Sequence, residues 1–465
     1  PEQHPGSIEI AVPPDERVTP AATARVSRRS NRYPALDGIR GIAVLAVMIF
    51  HFFLFGKMAS IGAVDRVAAG TANAGWAGVD LFFVLSGFLI TGILYDARGK
   101  HHFLRNFYAR RVLRIFPLYY GVLVAFFVVL PHLFPSSAVI HANTLGQLWF
   151  WTYLSNVHVA LHGWSATSEY VDHFWSLSIE EQFYVLWPFV IAALSRRSLL
   201  RSCAAISIGS LLLRIWLHAH ELPNAAFVLT AARMDALAIG AFVALAVRSP
   251  AELRTMLRWV RPMLATTTTL LAAIWIARGG FDKNDPVVGT IGFNLLGLTF
   301  GGIILLAIDP AGGGSRMTRL FLSQPLRALG KYSYSLYVFH QPVALVLVSI
   351  GISAAAAPVV WGSALPGEIA YAAIAGTDSL IAAMLSWHLF EKHFMKLKDR
   401  FAETPVAVPG APVATAWAVP GVPGGALDDV RLVAARGVVN VAKGDDAGRV
   451  NDSKEASGGD FTLGA

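Results

Sequence analysis

Apolar runs of about twenty residues recur along this chain, each bounded by glycine, proline or charge, and that repetition restricts the fold more than any other feature. A helix needs about 20 mostly apolar residues to cross a bilayer core. Runs near 38–56, 77–96, 112–133, 179–195, 201–219, 224–247, 262–278, 288–308, 332–353 and 368–390 meet that requirement. Hydrophobic residues make up 55% of the 465 and charged residues 15%, against roughly 25% charged in soluble domains. Lipid, not water, is the expected solvent, and the predicted fold class is all-α: a polytopic transmembrane helix bundle of about ten spans.

Charge sets the direction of the spans. Arg25, Arg28, Arg29 and Arg32 place the amino terminus in the cytoplasm, and Arg98, Lys100, Arg105, Arg110, Arg111 and Arg114 place the second connection there too. The pair Arg196-Arg197 is again cytoplasmic by this rule, so one crossing, 179–195, lies between the outer end of the third span and these arginines. The aromatic stretch 145–161, interrupted by Ser155, Asn156 and His158, is therefore predicted to be re-entrant or interfacial. Later basic clusters (Arg254, Arg258 and Arg261; Arg316, Arg319 and Arg327; Lys392, Lys396, Lys398 and Arg400) fall on the same side, and both termini are expected in the cytoplasm. The net charge of +8 reads as membrane orientation and not as a nucleic-acid footprint.

The expected organisation is a disordered cytoplasmic tail over 1–32, a membrane domain over 33–396, and a mostly disordered cytoplasmic tail over 397–465, rich in Pro, Gly, Ala and Val. No cleavable secretory signal is expected in the opening residues, which are polar and lack an apolar core segment. The single cysteine, Cys203, excludes an internal disulfide and a cysteine metal cluster within one chain. No metal and no tightly bound cofactor are expected.

Ionisable groups inside lipid-spanning helices are costly and survive where they face a protein interior, so they mark candidate sites. Arg40 and His51 lie eleven helical steps apart, about 16 Å and close to three full turns, on one face of the first span. Asp80 opens the second span, and Glu180 and Glu181 open the fourth. These three helices are expected to deliver His51, Asp80 and one of the two glutamates to a common layer. A histidine backed by a carboxylate makes a general base suited to activating a hydroxyl. The plainer readings are a hydrogen-bonded core histidine for His51 and, for Glu181, a capping box in Ser178-Ile179-Glu180-Glu181.

Arg110, Arg111 and Arg114 anchor the third span, and they also offer forked donors to a phosphate-bearing cosubstrate. Arg214, Arg233 and Asp235 lie too deep for anchoring. Arg233 and Asp235 read as an internal ion pair or as substrate-binding residues. His340, just before Gln341-Pro342, reads as support for a kink.

With these residues placed, the chain resembles the acyltransferase-3 family of bacterial integral-membrane O-acyltransferases from about Tyr33 to Lys396. The resemblance rests on Tyr33-Pro34-Ala35-Leu36-Asp37-Gly38-Ile39-Arg40-Gly41, on the ten residues between Arg40 and His51, and on Gly78-Val79-Asp80-Leu81-Phe82-Phe83-Val84-Leu85-Ser86-Gly87-Phe88-Leu89-Ile90. It extends through Phe107-Tyr108-Ala109-Arg110-Arg111, Phe174-Trp175-Ser176-Leu177-Ser178-Ile179-Glu180-Glu181, Arg233-Met234-Asp235, Gly330-Lys331-Tyr332-Ser333-Tyr334-Ser335 and Trp387-His388-Leu389-Phe390-Glu391-Lys392. His393 stands where relatives often carry proline.

The resemblance implies ten core helices, an acyl-CoA donor, and acylation of a hydroxyl on a glycan, glycolipid or secondary metabolite. It also implies that Arg40 and His51 are essential. The expected enzyme sits in the bacterial cytoplasmic membrane. His51, Asp80, Glu180 and Glu181 are the candidate catalytic residues, with Arg40, Arg110, Arg111 and Arg114 toward acyl-CoA and Trp175, Arg233 and Asp235 toward the acceptor. A proton-coupled transporter or lipid-linked substrate flippase would use the same intramembrane charges, and CoA release that depends on acceptor separates the two readings.

Overall fold

The computed structural model describes residues 33–401, apart from 58, 60, 138, 139, 141–143, 145, 165–167 and 310–314. The two expected tails lie outside the described residues, except that helix continues through the start of the second one to Phe401.

Every extended element among the described residues is helical. The helices are α1 (Pro34–Gly56), α2 (Ala63–Ala97), α3 (Phe103–Leu133), α4 (Gln147–Trp151), α5 (Ser155–His162), α6 (Trp175–Ala193), α7 (Arg196–Ala219), α8 (Pro223–Ala246, broken at Leu229), α9 (Pro250–Arg278), α10 (Val288–Ile308), α11 (Arg316–Phe321), α12 (Gln324–Ser349) and α13 (Leu365–Leu397). Nine of these helices are long and apolar enough to cross a membrane by length and composition. The tenth expected crossing is α6, whose 19 residues include Glu180 and Glu181. The chain is a multi-pass membrane protein.

Local sequence explains the helix starts. Proline stands in the first turn of α1, α9, α12 and α13, where its missing N–H is no loss. Ser195 and Ser249 cap α7 and α9 by accepting from the backbone N–H of Ser198 and Glu252. Several helices begin before their apolar run does: α12 starts at Gln324 and α9 at Pro250. Hydropathy reports only the stretch that lipid surrounds, whereas backbone hydrogen bonding carries each helix on into the interface. The segment expected not to cross is two short helices, α4 and α5, of 5 and 8 residues.

Two seams of close backbone approach hold the bundle. On α1 and α12, a side chain at Gly330 would run into the carbonyl of Asp37, and one at Gly41 into that of Leu326. On α2 and α8, Gly87 faces the carbonyl of Leu237 and Gly240 that of Val84 in the same way. Association in lipid draws on such packing because lipid tails are as apolar as the side chains. Gly330→Leu is expected to force the first seam apart at a cost of about 1–3 kcal/mol or more. A fall in the thermal midpoint of the detergent-solubilised protein measures it.

Candidate active site

Polar side chains line two chambers at opposite ends of α1. The inner chamber, about 110 Å³, is lined by Arg40, Ser86, Arg111, Arg114, Glu180, Glu181, Tyr184, Tyr334 and Tyr337. It shares Arg40, Arg114 and Tyr334 with a basic mouth of about 630 Å³ that adds Arg327, Lys331, Trp387, Glu391 and Lys398. The outer chamber, about 610 Å³, holds His51, Lys57, Glu169, Asp172, His173, Lys283 and Gln341 among the rings of Trp76, Trp164, Trp175 and Phe227. Val79 and Tyr337 line both chambers. The three cavities are successive neighbours, each sharing lining residues with the next.

In the inner chamber Arg40 Nη1 donates to Asp37 Oδ1 at 3.2 Å. Glu180 Oε2 accepts from the Tyr184 hydroxyl at 2.9 Å, and that hydroxyl also bonds Ser86. Both Glu180 and Glu181 face this chamber, contrary to the expectation that only one of them points inward. The chamber lies between several helices and is wide enough for residues 100° apart on α6 to reach its two edges. The capping box is also corrected: α6 begins at Trp175, so Ser178 is inside the helix and bonds Ser155 at 2.9 Å.

The expected common layer of His51, Asp80 and glutamate divides. Asp80 Oδ1 accepts from Arg233 Nη2 at 2.5 Å, with the two side chains 2% and 0% exposed. The α2–α8 seam turns Asp80 toward α8 and away from α1. Arg233 and Asp235 do not pair with each other, because residues two apart on a helix point to opposite sides. Asp235 takes Arg214 at 2.8 Å instead. The Arg233 guanidinium also lies 4.1 Å from the Phe293 ring centroid and 5.2 Å from that of Phe227, a chamber wall. Arg233 and Asp235 thus sit behind that wall, while Trp175 lines the chamber itself.

His51 Nδ1 lies 2.9 Å from the Val47 carbonyl and 3.2 Å from His340 Nε2. A third imidazole, His173, stands 5.0 Å from His340 and 6.4 Å from His51 between ring centroids. Tyr337, which lines both chambers, donates to the His173 carbonyl at 2.9 Å and bonds the Ser176 hydroxyl at 2.5 Å. Lys283, in the loop between α9 and α10, places its ammonium 4.6–5.6 Å from the ring centroids of Phe227, Trp164 and Phe50. Burial pushes the Lys283 ammonium below its usual range, against the upward pull of Asp172 and Asp282. Burial likewise raises the Asp172 carboxyl to about 7, opposed by its hydrogen bond from Gln341. His173 is driven well below the ordinary histidine range, first by burial and then by His340 and His51.

Reading by spans misses Lys283, Asp172 and His173, which lie in connections, and gives His340 a role in a kink only. The one signal in its favour is a histidine inside an apolar run on α12. Arg110 lines a neighbouring cleft with Arg111, Arg114 and Lys398, and neither chamber nor the mouth includes it. Cys203 lines an apolar cavity between α7, α8, α9 and α10.

The model of the family described as "Acyltransferase domain" matches residues 33–384. The chain belongs to the acyltransferase-3 family. YrhL of Bacillus subtilis is 29% identical over 386 residues, 78% of this chain and 55% of the relative. O-acetyltransferase OatA of Staphylococcus aureus is 29% identical over 334 residues, 68% and 51% of the two chains. Peptidoglycan O-acetyltransferase OatA of Listeria monocytogenes is 29% identical over 336 residues, 69% and 50%. The chain thus spans about half the length of the curated relatives it matches. No solved structure matches it.

Two outcomes follow from the geometry. Asp80→Ala leaves a buried guanidinium without its partner, and the expected loss is about 3–5 kcal/mol. The joint replacement Asp80→Leu with Arg233→Met recovers part of it in thermal melts. The raised Asp172 carboxyl keeps its proton in the folded protein at pH values where the unfolded chain has released it. The stability contributed by Asp172 therefore falls as pH rises from about 4 to 7 and levels above that. Asp172→Asn is expected to flatten this slope in melts taken across pH 4.5 to 8.

Proposed function

We propose that this protein moves a short acyl group, acetyl by analogy with its named relatives, from acyl-CoA to a hydroxyl of a glycan, glycolipid or secondary metabolite, with His51 as general base. The observation that carries this reading is the series of cavities from a basic mouth to the His51 chamber. The basic residues of the mouth support a cytoplasmic-facing donor side by the positive-inside rule, in keeping with a bacterial cytoplasmic membrane and both termini inside. Peptidoglycan is the acceptor in the names of two of these relatives, and a glycan is the favoured class: aromatic rings interleaved with Asp172, Glu169 and Gln341 suit the faces and hydroxyls of sugars.

The donor's phosphates sit at Arg40, Arg114, Arg327, Lys331 and Lys398, which line the mouth. The acyl-pantetheine arm runs along the inner chamber, past Val79 and Tyr337, to bring the thioester beside His51. Arg40 lies at the donor side, about 16 Å of helix from His51, and serves the phosphates and not the reacting carbonyl. Glu180 and Glu181 balance Arg40, Arg111 and Arg114, and Asp80 supports the fold through Arg233. His51 Nε2 takes the proton from the acceptor hydroxyl and the oxygen attacks the thioester carbon. The carbon–sulfur bond breaks, and the CoA sulfur leaves with the proton from Nε2. The Lys283 ammonium, one of the two lysines of the outer chamber, is available to the developing oxyanion.

His51→Ala in purified protein is expected to lower acyl transfer from labelled acetyl-CoA into native envelope extract by about 10²-fold or more, and full retained transfer would remove His51 from the role. Replacing Arg327 and Lys331 together by Ala is expected to raise KM for acetyl-CoA about tenfold with kcat nearly unchanged. Measured CoA release with and without extract also separates the enzyme from a transporter.

A further inference from the structure

The proposed reaction requires His51 to offer a lone pair to the acceptor, and among the described residues its bonding partners include no carboxylate to hold the other ring nitrogen. His340 occupies that place. Its side chain is fully buried on α12, with Nδ1 2.7 Å from the Tyr337 carbonyl and 3.2 Å from the Leu336 carbonyl. Carbonyl oxygens only accept, so Nδ1 carries the hydrogen and a neutral His340 presents a bare Nε2. That atom lies 3.2 Å from His51 Nδ1, which the Val47 carbonyl also approaches to 2.9 Å. Two acceptors at one nitrogen leave a single consistent assignment: the hydrogen of His51 is on Nδ1, and its Nε2 is bare.

Resting on the general-base reading of His51, we propose that His340 is its positioning residue, accepting from Nδ1–H so that Nε2 is the atom that meets the acceptor hydroxyl. Val47 sits on the same helix as His51 and can steer the ring only along α1. His340 comes from the facing helix across the seam closed by Gly41 and Gly330, and it pins the ring in the second direction. The titratable groups facing the pair are His173, whose ring is 5.0 Å from that of His340, Tyr337 at 5.6 Å, and the outer-chamber groups Lys283 and Asp172. Neither imidazole bonds a carboxylate among the described residues. The resting pair is neutral, unlike a histidine backed by aspartate. During the reaction the acceptor O–H bond breaks, Nε2–H forms, and the departing sulfur later takes that hydrogen. His340 gains and loses none.

The test uses the full chain in lipid bilayers with ¹⁵N-labelled histidine, the His51 signals being identified by their loss in His51→Asn. Wild-type His51 is expected to show a protonated Nδ1 and a bare Nε2, and the hydrogen found on Nε2 overturns the proposal whatever the activity. His340→Gln retains an acceptor oxygen, whereas His340→Met has similar length without one. Transfer from labelled acetyl-CoA into envelope extract is expected to stay within about threefold of wild type in the Gln variant. In the Met variant kcat is expected to fall about 10- to 100-fold, with KM for acetyl-CoA unchanged. Equal kcat in the two variants overturns the proposal. If His51→Ala retains transfer while the spectrum shows the hydrogen on Nδ1, the general-base reading falls and the imidazole pair stands as a structural contact only.

Discussion

An ionised side chain among membrane helices must find its partner inside the protein, and here the partners sit on different helices. Asp80 and Arg233 tie α2 to α8, while Arg214 and Asp235 tie α7 to α8. Phe293 of α10 covers both guanidinium groups, at 4.1 Å from Arg233 and 5.4 Å from Arg214. Neutralisation and assembly are one interaction in this half of the bundle. The other half is joined by the glycine seam between α1 and α12, and those two helices carry Arg40, His51, Tyr334, Tyr337 and His340. The side chains with chemistry to offer therefore stand beside a close backbone approach at Gly41 and Gly330.

The architecture is legible in the sequence because its signal is repetitive. Ten apolar runs correspond to ten long helices, α6 among them despite its two glutamates, and the stretch at 145–161 to two short ones. Basic clusters locate the mouth, though not its membership: Arg114 belongs, Arg110 does not, and Lys331 and Arg327 read only as motif residues or anchors. Arg40 and His51 stand out as ionisable groups inside an apolar run, and a separation of eleven residues puts both on one face of the helix.

Pairing between helices is what the sequence hides. Helical period says which way a side chain points relative to its own axis but not which neighbour it meets. Asp80 looks like a support for His51 because the two share a depth, whereas the α2–α8 contact rotates it toward Arg233. His340 is easily overlooked, since a histidine before Gln-Pro has an ordinary explanation in the kink. Lys283, Asp172 and His173 lie in connections between spans, where polar residues are unremarkable by composition.

The meeting of the two chambers at Tyr337 and Val79 bears on the membrane as a whole. Cavities that enter one bundle from opposite ends bring it close to being a channel, and a cell that stores energy as an ion gradient loses it through any continuous column of water. Tyr337 is tethered at Ser176 and at the His173 backbone, so its ring stands where the two chambers meet. An uncharged aromatic side chain suits that place, because it offers ions no charge on which to pause.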